Sequence, residues 1–255
     1  LFIGNLILGL LSILFLNKKR AYRIFTYLMG LSWLILTFTL ALRWIINGTI
    51  PIANGYETML LLSWLIMIVS ILTTYKMQLM TTFGLLMSGF MLLVSHLGEM
   101  DPSITPRMPV LNSPLLSIHV SIIMISYALF SLTFICAIAY FLTYRSKKAN
   151  IIQTNKQLTT LSQIFLYPAI TTLGLGIFIG AIWANISWGT YWGWDPKETW
   201  ALITLMVYAI VLHKQSLPTF RKPLNYHLYM IIAFLSILMT YFGVNYVLGG
   251  MHSYA

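Results

Sequence analysis

The sequence predicts an all-α fold: a polytopic helical membrane protein of about eight transmembrane helices with an external Trp-rich loop. Three observations predict it. Of the 255 residues, 59% are hydrophobic and 8% charged, where water-soluble domains carry about 25% charged residues. The apolar residues gather into stretches near the ~20 residues that a helix needs to cross the hydrocarbon. The cationic residues fall into every second gap between those stretches, as the positive-inside rule asks.

The stretches run in order. Residues 1–16, LFIGNLILGLLSILFL, lack a basic start and a small-residue cleavage site, so they read as a trimmed first span rather than a signal peptide. Lys18, Lys19, Arg20 and Arg23 separate them from the second span, 24–46, and a 47–56 loop leads to the third, 57–75. Lys76 precedes the fourth, 77–96, and a 97–116 loop the fifth, 117–143. Arg145, Lys147, Lys148 and Lys156 precede the sixth, 165–186. A Trp-rich loop at 187–197 leads to the seventh, 198–213, and Lys214, Arg221 and Lys222 lie before the eighth, 227–248. The first and seventh are short for spans.

Twelve of the 15 Lys and Arg thus lie on one side, and only Arg43, Arg107 and Lys197 on the other. The first side is cytoplasmic, which puts the 47–56, 97–116 and 187–197 loops and the C-terminal tail on the outer face. The net charge of +10 is therefore a topology signal, and no nucleic-acid partner is needed to explain it. The five acids, Glu57, Glu99, Asp101, Asp195 and Glu198, lie in or beside outer segments. None is mid-span, which argues against a proton- or cation-coupled transporter. The single Cys, Cys136, sits in an apolar run and excludes an intramolecular disulfide or a thiolate metal cluster. No internal repeat or linker divides the chain, so residues 1–255 read as one membrane domain.

Five of the eight Trp fall in WANISWGTYWGWDPKETW, residues 183–200. Interfacial anchoring explains Trp33, Trp44 and Trp64, but a belt spreads its anchors over many helix ends. Here Gly189 and Gly193 permit tight turns or a close approach to a flat ligand. Asp195 reads as an N-cap, Pro196 as the first helical residue and Glu198 as the third position of a capping box. The indoles are then held before a pinned helix start. Such a platform suits a large planar hydrophobic ligand, although aromatic clustering alone leaves anchor and ligand equally open.

Histidines favour the ligand. His119, in SPLLSIHVSIIMISYALF, and His252, in GGMHSYA, both lie on the side of the Trp loop. Two neutral imidazoles flanking an aromatic platform are what a six-coordinate haem iron needs. His213 and His227 are fourteen residues apart, but Pro218 and Pro223 break the segment between them. The helix of a di-haem cytochrome b is therefore not expected. His227 reads as an interfacial histidine, as does His96 near the outer end of the fourth span.

WGTYWGWDPKETWALI resembles the tryptophan-rich WWD signature of the haem-handling proteins of cytochrome c maturation. Its W-G-x-Y-W-x-W-D-P-K-E-T-W pattern is similar to the CcsA (ResC) branch of the System II synthase. NGYETMLLLSW (54–64), SIHVSIIMISYA and GVNYVLGGMHSYA resemble further segments of that family, and the similarity runs from about residue 47 onward. The resemblance implies that His119 and His252 are the axial ligands of haem b over a loop built from Trp188, Gly189, Trp192, Gly193, Trp194, Asp195 and Trp200. It implies that His213 binds haem nearer the cytoplasmic side, together with a histidine of a CcsB (ResB) partner. The expected function is haem export and haem–apocytochrome c ligation, a haem-lyase or synthase activity without a catalytic side chain of its own. The expected partners are CcsB, apocytochrome c, membrane lipid and thioredoxin-like thiol reductants, in a bacterial inner membrane or a thylakoid-type membrane. No CcsB-like segment is present, so the chain reads as half of a synthase or as a piece of a fusion. A haem-binding electron-transfer subunit and a channel or transporter for a hydrophobic ligand are the alternatives.

Overall fold

The computed structural model describes residues 1–15, 18–52, 54–97, 100–104 and 113–248. Among them every regular element is helical, as the sequence predicts. In chain order these are α1 (Phe2–Leu14), α2 (Lys19–Asn47), α3 (Gly55–Thr73), α4 (Leu79–Leu97), α5 (Pro114–Thr143), α6 (Ala149–Trp188), α7 (Pro196–Ala209) and α8 (Pro223–Leu238). Short 3-10 turns cover Ile210–His213 and Pro218–Arg221, and α8 passes into a π-helical segment, Met239–Leu248.

Six of the helices are long and apolar enough to cross a membrane. The other two, α1 with 13 residues and α7 with 14, rise only about 20 Å at 1.5 Å per residue. The expected eight spans are therefore six long helices and two short ones. α6 departs most from expectation. Its 40 residues begin at Ala149 and rise about 60 Å, twice the ~30 Å of hydrocarbon. The polar segment before residue 165, with Lys156, is thus the first part of the helix rather than a loop.

The chain forms two compact units, Leu1–Ser117 and Ile118–Ala255. In the first, α3 packs on α4, α1 on α4, and α2 on α3. Its core gathers Phe25, Met29, Leu36, Leu40, Leu60, Met67, Leu85 and Leu92. The backbones approach closely through small residues: a Cβ on Gly9 would lie 2.7 Å from Leu86, and one on Gly89 2.9 Å from Leu6. Polar side chains inside this unit satisfy one another, which is how helices associate without a hydrophobic drive in lipid. Asn5 accepts from Ser32 at 2.7 Å and donates to Ser88 at 3.2 Å.

At the α2–α3 end, Arg43 Nε donates to Glu57 Oε1 at 3.1 Å and Nη1 to the Pro102 carbonyl at 3.0 Å. Asn54 caps α3 by accepting the Glu57 amide at 2.9 Å. The NGYE segment thus starts a helix and neutralises an arginine. Trp33 and Trp64 stack on each other at 5.5 Å, a packing pair rather than two separate anchors. Trp44 is half-exposed, as an anchor would be. His96 stacks on Phe2 at 5.1 Å, a packing role. Glu99 and Arg107 lie outside the described residues.

In the second unit, Phe130 of α5 stacks on Tyr208 of α7 at 3.8 Å, and Phe134 on Phe234 of α8 at 4.2 Å. Ser126 donates to the Ala169 carbonyl at 2.8 Å, tying α5 to α6. Thr204 of α7 meets Thr240 of the π-helical segment at 2.9 Å. Thr240 also donates to the Trp200 carbonyl at 3.2 Å, which lays that segment beside the start of α7.

Candidate functional site

The Trp loop is fastened at both ends. α6 stops because Gly189 turns left-handed, with φ 77°, and its amide bonds back to the Asn185 carbonyl at 2.9 Å. Glycine carries no Cβ to oppose that turn. α7 starts as the sequence predicts. Asp195 accepts the Lys197 amide at 2.9 Å, Pro196 takes the first helical position, and Glu198 accepts the Asp195 amide at 3.2 Å. In the last turns of α6, Trp183 is buried and meets Trp188 edge-on at 4.8 Å; the next two indoles lie between the caps. Trp192 and Trp194 meet edge-on at 5.9 Å, with Trp194 exposed. Gly193 permits a tight turn or a close approach to a flat ligand, and it is not left-handed. The left-handed residue beside the cap is instead Trp194, with φ 57°.

His119 stands in the first turns of α5 and packs against α6. Its Nδ1 lies 2.7 Å from the Gly176 carbonyl. A carbonyl can only accept, so Nδ1 carries the proton, and in the neutral form of the ring the lone pair then falls on Nε2. Gly180 supplies the room: a Cβ there would lie 2.6 Å from the His119 Cε1. Gly180 precedes Trp183 by three residues and Trp188 by eight, so it lies about 4–12 Å below the backbone of those two residues along the α6 axis. His119 and the Trp loop therefore share one end of this unit. The Gly176–Gly180 notch was not anticipated, although its small-x-x-x-small spacing is a readable signal of close helix contact.

His213 ends the 3-10 turn after α7 and is exposed. It lies 18 residues beyond Asp195, about 25–30 Å away along the helix, at the opposite end of α7 from the loop. Lys214 beside it sits 5.5 Å over the Tyr226 ring, and partial burial lowers its pKa. His227 differs from the interfacial expectation. It is fully buried, stacked on Tyr140 at 4.2 Å, with Nε2 3.0 Å from the Thr159 hydroxyl. His252 lies outside the described residues.

Among the described residues no group of three or more His, Cys, Asp or Glu could cage a metal ion. One imidazole at the end of α6 that leads into the Trp loop instead fits an iron that brings its own four equatorial nitrogens. Axial histidine and apolar walls are the protein's share of such a site.

The family model described as "Cytochrome C assembly protein" matches residues 52–252. Protein NrfI of Wolinella succinogenes is 37% identical over 255 residues, covering 98% of this chain and 28% of that protein. The cytochrome c biogenesis protein CcsA of Chlamydomonas reinhardtii is 33% identical over 240 residues, covering 89% of this chain and 67% of its own. That of Guillardia theta is 30% identical over 274 residues, covering 96% and 89%. The chain thus spans little more than a quarter of NrfI and from two thirds to nine tenths of these CcsA proteins.

Proposed function

Since this chain belongs to the cytochrome c assembly protein family, in its CcsA branch, we propose that it is the haem-presenting subunit of a cytochrome c synthase. Residues 1–255 act as one haem-handling domain, the CcsA half of a CcsB–CcsA pair. The match over 52–252 runs through both compact units and supports that division.

Haem b is the substrate. His213, with a histidine of CcsB, takes it up on the cytoplasmic side, where Lys214 can meet a propionate. On the outer face His119 and His252 hold the iron from its two sides. Trp188, Trp192, Trp194 and Trp200 wall the macrocycle in a loop shaped by Gly189, Gly193 and Asp195. Haem and peptide supply the bond-forming chemistry, in which two thiols of a C-x-x-C-H segment of apocytochrome c add to the vinyl groups. The chain's contribution is to orient one reactant against the other. The peptide histidine replaces one of the two axial imidazoles, which gives the product its exit. Thioredoxin-like reductants keep the peptide thiols reduced.

The observation that carries this reading is the His119 imidazole, held through Nδ1 by the Gly176 carbonyl at the end of α6 that leads into the Trp loop. Reconstitution tests it. The chain with a CcsB partner, haem and an apocytochrome peptide should give haem that stays on the peptide through denaturing electrophoresis. A peptide whose two Cys are Ser should give none. Haem-loaded protein that never yields the covalent product would leave a haem carrier and remove the ligase.

A further inference from the structure

Residue type and backbone conformation conflict at one position of the Trp loop. Trp194 has φ 57°, the only left-handed residue other than glycine among those described. A bulky side chain is a true outlier there. Such a conformation persists only where its surroundings over-determine it. Gly193, which could turn left-handed without opposition, does not do so.

Glu198 supplies the constraint. Its Oε2 accepts the Gly193 amide at 2.8 Å and the Asp195 amide at 3.2 Å, the two amides that flank Trp194. A capping box needs only the second of these; the first reaches back past the cap. Thr199 adds a bond from its hydroxyl to the Trp194 carbonyl at 3.4 Å. The backbone is thus gripped on both sides of the indole, yet Trp194 is 71% exposed and its ring meets Trp192 edge-on. Packing within the loop does not account for so constrained and so exposed an aromatic ring.

We propose that Glu198 is a positioning residue of the Trp loop: by holding the Gly193 and Asp195 amides it keeps Trp194 left-handed and sets the face that the indole offers to haem. The proposal rests on the reading of the loop as a haem-holding surface. It gives Glu198 a task apart from starting α7 and makes Trp194 a presented group.

The test uses the full chain labelled with 5-fluorotryptophan, first without haem and then titrated with haem b. Trp194→Phe identifies the Trp194 fluorine resonance by its loss. Glu198→Ala should shift or broaden that resonance, while Glu198→Gln, which keeps an acceptor oxygen, should hold it near its original place. Haem affinity should fall about tenfold or more in Glu198→Ala, the size of effect seen when an outer partner of a metal site is removed, and be largely kept in Glu198→Gln. Should the Ala variant fail to fold, Glu198→Asp, which keeps the charge but shortens the reach, should displace the same resonance. A Trp194 resonance unmoved in folded Glu198→Ala overturns the proposal. A displaced resonance with unchanged haem affinity leaves the positioning in place and removes the haem-holding reading of the loop.

Discussion

His119 donates from Nδ1 to the Gly176 carbonyl, and Gly180 gives its ring room, so two glycines one helical turn apart fix both the tautomer and the place of one imidazole. Gly180→Ala is therefore informative. In an exposed helix the change favours folding by about 1 kcal/mol, but here the new Cβ would lie 2.6 Å from the ring. The ring must move. The variant should fold, lose the Nδ1 bond and bind haem about tenfold more weakly, the usual effect of removing an outer partner. A haem titration that matches the wild type would take His119 out of the ligand set. His119 was legible in the sequence because it lies near a helix end on the Trp side. Its glycine seat was not, because that contact joins positions 57 apart on different helices. Trp194 was legible as an aromatic but not as a left-handed residue, since propensity assigns that turn to the neighbouring glycine.

Helix packing separates the two histidines near the α7–α8 connection. His227 lies among α5, α6 and α8, stacked on Tyr140 and bonded to Thr159, whereas His213 is exposed at the end of its turn. His227→Ala should open a cavity and lower stability by about 3 kcal/mol, as truncating a buried side chain does, with haem per folded molecule unchanged. His213→Gly should alter stability by no more than about 1 kcal/mol, yet lower haem loading when the CcsB partner is present. Thermal unfolding and haem per mole of purified protein check both. Reversed patterns would exchange the roles. The sequence placed His227 at an interface because its first-turn position follows Lys222 and Pro223. Burial there comes from α5 and α6, which hydropathy along α8 does not report. Hydropathy likewise placed the start of α6 at 165, because NIIQTNKQLTTLSQ is polar. Backbone preference overrules it: no Gly or Pro interrupts residues 149–164, and the helix continues outward from the apolar span.

Across the whole molecule, apolar stretches and charge asymmetry made the all-α membrane fold legible, since lipid leaves the backbone few other solutions. The same charges carry the expected orientation, with the Trp loop on the outer face. A cysteine placed at 190 should react with a membrane-impermeant maleimide on intact cells, and one placed at 147 only after the membrane is opened. Cys136 is buried, so background labelling should be low, and the opposite pattern would put the Trp loop inside. The central claim is that His119 holds haem iron beside the Trp loop. Its most direct measurement is the absorption spectrum of haem-loaded His119→Gly protein with and without imidazole. We predict loss of the low-spin six-coordinate spectrum in the variant and its return when imidazole fills the vacated position. A variant that keeps the wild-type spectrum without imidazole would contradict the claim.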